Sequence, residues 1–207
     1  EGHTLQTVDP GGKIASAIGN HRVIGCVITS SNTVEAPGVV RNLGNRVFAL
    51  GEPDETHSRR LTEIAALFEN AGLLSPIGLD IRSELWVKMW GNVSFSPMAV
   101  LTLSKLGPLV ENEDLKALGI KIMEETQAVG EALGVKFNTN ILERIEGTRQ
   151  VSEHKTSILQ DLEAGRPMEV DGITGAVVEL GRLLNVKTPM LDLVYALMRR
   201  RAKQQGL

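Results

Sequence analysis

The chain has 207 residues, 42% of them hydrophobic, and a net charge of −3. That is enough apolar material for one large domain or two small ones, and the balance of charge argues against a nucleic-acid or anionic-membrane partner. No apolar run reaches the ~18 residues a membrane span needs, and the single cysteine, Cys26, excludes an internal disulfide and a cysteine-based zinc cluster while suiting a reducing cytoplasm.

The first stretch, EGHTLQTVDPGG, has neither a basic n-region nor an apolar h-region, so it does not read as a signal peptide. Nor does it read as the start of a domain, since no strand precedes the first turn. VIGCVITS, residues 23–30, is a β-branched run of the kind expected for a strand buried on both faces. Pro37 and Gly38 punctuate, and VVRNL and RVFALG then flank Gly44-Asn45, a pair that predicts a hairpin. From Asp54 to Gly72 the spacing predicts an amphipathic helix with Leu61, Ile64, Ala65 and Phe68 on its inner stripe. Residues 1–78 are expected to be the closing part of an α/β domain.

Beyond Ile77 the pattern turns to nearly continuous helix, and residues 79–207 are expected to form a second, all-helical domain. Its first stretch, LDIRSELWVKMWGNVSFSP from Leu79 to Pro97, is apolar nearly all round, which predicts a buried helix. One polar line crosses it at four-residue spacing: Glu84, Lys88, Asn92 and Ser96. Residues at i and i+4 share a helix face. A lysine on a buried face must pair with an anion, lose its proton, or border a wet cleft. The plain alternative is an ordinary Glu84–Lys88 pair, worth ~0.3–0.5 kcal/mol on an exposed helix.

Further helices are predicted from Leu115 to a stop at Gly134, from about Thr139 to Gln150, from Ser152 or Glu153 to the break at Gly165-Arg166-Pro167, and from Glu169 to Asn185. Thr188 and Pro189 open the last one, as cap and first helical residue. Arg199, Arg200, Arg201 and Lys203 close it, where cations suit a helix C-terminus. Ser157 and Glu169 lie twelve residues apart across the Gly165–Pro167 break, on two segments expected to meet at a corner. A carboxylate in the first turn of a helix is also favoured by the dipole alone.

Four histidines show no ligand spacing, so no metal site is assigned. Asn92-Val93-Ser94 matches a glycosylation acceptor, but inside a helix predicted to be buried the match is coincidence. Among 21 glycines there is no G-x-G-x-x-G, the turn that holds a dinucleotide's pyrophosphate.

Three segments together resemble the ketopantoate reductase (2-dehydropantoate 2-reductase) family: VIGCVITS with APGVV downstream, RSELWVKMWGNVSFSP, and HKTSILQDLEAGRPMEVDGITG. Their order resembles the part of that family that follows its nucleotide-binding half, a segment of about a hundred residues that includes the glycine-rich loop. The resemblance implies the tail of a Rossmann-type NADP-binding domain over 1–78. Over 79–207 it implies a helical substrate domain of the 6-phosphogluconate dehydrogenase C-terminal-like kind. It implies NADPH-dependent reduction of 2-dehydropantoate to (R)-pantoate, on the route to pantothenate and coenzyme A, in a cleft between the two domains. On this likeness Lys88 is the proton donor, Asn92 and Ser157 hold substrate, and Glu169 lies near nicotinamide, ribose and the reacting groups. Ser96 stands where the family commonly has a second substrate-contacting asparagine. A serine is shorter and lacks the amide's paired donor and acceptor.

Two other readings stay open at this level. Ser96 allows a reductase of another 2-keto acid. The missing glycine motif and the long apolar helix faces also allow a non-catalytic helical module that dimerises or binds a ligand, and a homodimer suits either case.

Overall fold

The structure, a computed structural model, describes residues 3–78, 80–149 and 151–206. Leu79, which opens the apolar stretch, and Gln150, where one predicted helix ends, lie outside the described residues. The chain forms two compact units, one of Ala15–Leu85 and one of Glu1–Ile14 with Trp86–Leu207. The sequence pattern changes at 78.

In the first unit, strands β1 (Gly25–Ala36) and β2 (Val39–Gly51) pair antiparallel. The turn lies at Pro37-Gly38, between the paired Ala36 and Val39, and not at Gly44-Asn45 as predicted. Proline presets the first turn position, and Gly38 takes the left-handed second one at φ 78°. Gly44 and Asn45 instead sit inside β2, where the register slips opposite Ser30 and Ser31 and Asn45 adopts φ 37°. A turn-like dipeptide therefore serves here as a bulge.

β1 is not buried on both faces: Val27 is 6% exposed, but Ile28 is 42% exposed and Cys26 is exposed. Parallel pairing among the described residues is limited to two bridges, Val47 with Leu74 and Leu50 with Ile77. α1 (Lys13–Ile18, from Ala15 onward) precedes the strands, and α2 (Arg59–Asn70) follows them with Leu61 and Ala65 buried on the expected stripe. Phe68 meets Phe48 edge-on at 5.7 Å.

The start of α2 is fixed by a polar knot. Ser58 accepts from Leu61 N at 3.1 Å and donates to Glu52, which is 4% exposed and also accepts from Arg60 Nε at 2.7 Å. Hydrogen bonds from Arg60 first, then Ser58, hold the Glu52 carboxyl down from 4.5 to about 2, against the upward push of burial. A carboxylate with a lowered folded pKa stabilises the fold above its unfolded value, and that stability is lost as pH falls toward the folded one. Between pH 4.5 and about 2 the wild-type melting temperature should therefore drop. Glu52→Gln should start lower and show a flatter acid limb in a circular-dichroism melt series.

The second unit is helical: α3 (Ile81–Val93, from Trp86 onward), α4 (Phe95–Thr102), α5 (Leu106–Glu111), α6 (Glu113–Ala132), α7 (Ile141–Arg149), α8 (Ser157–Glu163), α9 (Ala176–Leu183) and α10 (Pro189–Gln204). Trp90, Val93, Phe95, Leu109, Ile122 and Leu159 form its centre, each 1% exposed or less. α4 packs on α8, α5 on α6 and α7, and α10 on α4, α6 and α9.

α8 starts later than predicted because the backbone before it is engaged elsewhere. Gly107 N donates to Ser152 O at 2.8 Å and Leu106 N to His154 O at 3.2 Å. α10 begins at Pro189 as expected, but its free N–H groups are met from another helix. Glu125 accepts from Met190 N and Leu191 N, both at 2.9 Å. Glu179 of α9 likewise accepts from Gln6 N at 2.7 Å, Thr7 N at 2.9 Å and Thr7 Oγ1 at 2.6 Å. No helix among the described residues is long and apolar enough to cross a membrane.

Candidate functional site

Helix α3 carries Lys88 and Asn92 one turn apart, both partly buried. It is not buried along its whole length: Trp86, Trp90 and Val93 are 8, 0 and 0% exposed, whereas Glu84 is exposed and Leu85 is 47% exposed. The buried edge anchors the helix, and the polar pair lies along the margin of that edge.

The four-residue ladder stops at Asn92. Pro97 has no N–H to offer the Val93 carbonyl, and its ring crowds that oxygen. The buried Ser94 turns its hydroxyl back to the Trp90 carbonyl, a contact that bends helices. The chain therefore breaks at Ser94 (φ −104°, ψ −82°), and Ser96 sits in the first turn of α4, partly buried, beyond the break.

Ser157 is the first residue of α8 and exposed, directly after the buried Thr156. The corner after α8 is closed by Arg166, which donates from Nε to Asp161 Oδ1 at 2.8 Å and from its backbone N to Asp161 O at 2.8 Å. Glu169 follows, exposed, immediately before the buried Val170 and a π-helical turn over Asp171–Gly175. Such turns are frequent at functional sites. This one is tied to α10 by Tyr195, whose hydroxyl donates to Asp171 Oδ1 at 2.6 Å. Burial, with the bond to Asp171, raises the Tyr195 pKa.

The elements that carry these residues share one core. Val93, Ile158 and Val170, the neighbours of Asn92, Ser157 and Glu169, belong to one hydrophobic core with Trp90. Ser157 and Glu169 have no hydrogen bond to each other or to Asn92 and Ser96 among the described residues. An open hollow of about 630 Å³, lined by Ile120, Glu124, Gln127, Glu131, Asn140 and Leu142 among others, contains none of the candidates. No group of three or more His, Cys, Asp or Glu that could hold a metal ion occurs among the described residues.

A residue that the spacing did not single out completes the picture. Arg144 of α7 reaches the backbone of α3 at Gly91, between Lys88 and Asn92, with its Nη2 2.7 Å from where a Cβ would stand. Its position in α7 bears no spacing to the other candidates, so nothing in the linear pattern points to it. Chemically, an ammonium with an amide one turn away can protonate and orient a polarised carbonyl, and a guanidinium alongside can hold an anionic group.

Residues 80–202 match the family model described as ketopantoate reductase PanE/ApbA C terminal. The chain is 50% identical over 206 residues to the 2-dehydropantoate 2-reductase of Mesorhizobium japonicum, covering 100% of this chain and 63% of that protein. A candidate ketopantoate reductase from Ralstonia solanacearum MolK2 superposes with a TM-score of 0.92 at 36% identity, over 100% of this chain and 63% of the other. The 2-dehydropantoate 2-reductase of Methylococcus capsulatus superposes with a TM-score of 0.86 at 30% identity, over 97% and 64% respectively. The chain thus spans less than two thirds of the length of these relatives.

Proposed function

We propose, from the premise that the chain belongs to the ketopantoate reductase family, that the full-length protein reduces the ketone of 2-dehydropantoate to (R)-pantoate with NADPH. The observation that carries this reading is the pair Lys88 and Asn92, one turn apart and partly buried on α3, inside the matched region 80–202. The relative from Mesorhizobium japonicum, half identical to this chain, is named for the same reaction.

In this reading the Lys88 ammonium faces the ketone oxygen and gives it a proton as negative charge develops there. Asn92 orients the substrate through an amide that both donates and accepts without adding charge. Ser157 contributes a hydroxyl at the start of α8. Glu169 has no hydrogen bond or ion pair among the described residues, so its carboxylate is available to accept from a ribose hydroxyl. The nicotinamide cofactor, when bound, supplies the hydride. The chain has no glycine-rich pyrophosphate turn, so we assign phosphate binding to a nucleotide-binding half of the kind the longer relatives have room for, with residues 1–78 as its tail. The Ser96 hydroxyl, in place of an amide, favours one narrower alternative, a different 2-oxo acid.

The test is steady-state turnover by the full-length protein with NADPH and a panel of 2-oxo acids. Ketopantoate should be reduced with the highest kcat/KM, one NADPH being consumed per pantoate formed. Preference for another acid would move the substrate and keep the chemistry. No NADPH oxidation with any member of the panel would overturn the reading.

A further inference from the structure

Helix α7 is rigidly begun. Asn140 Oδ1 accepts from Glu143 N at 2.9 Å, while the Glu143 carboxylate accepts from Thr139 Oγ1 at 2.7 Å and Asn140 N at 3.4 Å, a reciprocal cap that fixes the first turn. Arg144 follows at once, its own N bonded to Asn140 O at 3.0 Å. Its side chain crosses to α3, where Nη2 occupies the place a Cβ on Gly91 would need. A methyl at 91 would have to displace Nη2. Gly91 lies three residues from Lys88, a spacing that sets Cβ positions about 5–6 Å apart on one side of a helix. The head of Arg144 therefore lies on the side of α3 that carries Lys88.

That head is under-used by the protein. Nη1 donates to Thr148 Oγ1 at 3.0 Å, and Thr148 is itself buried and bonded to Arg144 O at 3.1 Å. Among the described residues no carboxylate pairs with the guanidinium, and burial pushes its pKa below the ordinary value. An arginine that merely packs lays its carbon stem on apolar surface and leaves its charge in water. Here the charged end itself is drawn onto the α3 backbone. A forked cation held partly out of water with donors to spare matches a planar anion, and carboxylate fits the fork with two parallel hydrogen bonds.

We infer that Arg144 holds the carboxylate of the 2-oxo acid, leaving the adjacent ketone oxygen to Lys88, and that Gly91 is the gap that admits the guanidinium. The inference rests on the reductase reading above.

In the full-length protein, Arg144→Met should raise KM for the 2-oxo acid by about 10- to 100-fold, as expected for losing a charge-assisted pair. KM for NADPH should be unchanged and kcat should move far less. The carboxamide of the same acid, which has no charge to recognise, should lose little. Gly91→Ala should raise the same KM by displacing Nη2, and the double variant should be no worse than Arg144→Met, since both act through one contact. Should Arg144→Met fail to fold, Gly91→Ala carries the test alone, because its methyl meets only the end of a flexible side chain.

An unchanged KM for the acid, or a rise confined to NADPH, would overturn the inference. If wild type reduces no 2-oxo acid, the reductase reading fails by itself, and calorimetric titration with oxamate decides the anion site. Binding lost in Arg144→Met supports it; no binding, or equal binding by both proteins, removes it.

Discussion

Replacing Lys88 by methionine in the full-length protein should lower kcat by ~10²–10⁴-fold, the usual span for positioned proton transfer. The affinity for NADPH should stay at the wild-type level. Methionine keeps the length and apolar stem of lysine, so α3 should still pack through Trp86, Trp90 and Val93, and the melting temperature controls for that. The loss falls on the chemical step because the ammonium acts most strongly when the carbonyl oxygen becomes an alkoxide, a charge absent from the ground state. Asn92→Ala should weaken substrate binding while retaining more of kcat, since an amide orients without giving up a proton. Wild-type turnover by Lys88→Met, measured by single-turnover NADPH oxidation, would remove the proposed mechanism.

The largest expected effect on stability belongs to Trp90. It is 0% exposed and stacks on Phe137 with centroids 4.7 Å apart and planes 12° from parallel. Trp90→Ala removes the stack and leaves a cavity in the centre of the helical unit, a change that typically costs ~3–5 kcal/mol. For a chain of this size that corresponds to a fall of roughly 10 °C in Tm. Trp90→Phe should cost much less. The indole Nε1 has no hydrogen-bond partner among the described residues, so the smaller ring forfeits volume and no polar contact. Because Lys88 is two residues away on the same helix, Trp90→Ala should also lower kcat in the protein that remains folded. Thermal melts of the three proteins decide the point, and equal Tm values would remove Trp90 from the core.

The helical half was legible where pattern and punctuation agree. The run from Leu115 gave α6, and its stop at Gly134 holds with φ 84°. The stripe Leu61, Ile64, Ala65 and Phe68 gave the buried face of α2, and Thr188-Pro189 gave the start of α10. The hairpin was misplaced because Gly44-Asn45 and Pro37-Gly38 are both turn-like. Only strand pairing decides which pair reverses the chain and which bulges. The continuous helix to Pro97 failed on a single carbonyl, that of Val93, which a proline four residues on cannot satisfy. The ladder from Lys88 to Asn92 was visible as spacing. Arg144 was not, since it reaches α3 from α7 in three dimensions and through the absence of a side chain at Gly91. The π-helical turn after Glu169 likewise leaves no periodic trace in so short a stretch.

The three hydrogen bonds that Glu179 receives from Gln6 and Thr7 bear on how this molecule can be dissected. An expression clone opening at residue 79 would discard its donors and strand a carboxylate on α9. The helical body is threaded from two separated stretches of polypeptide, so a faithful excision must keep the leading strap, either in place or spliced on by a short linker.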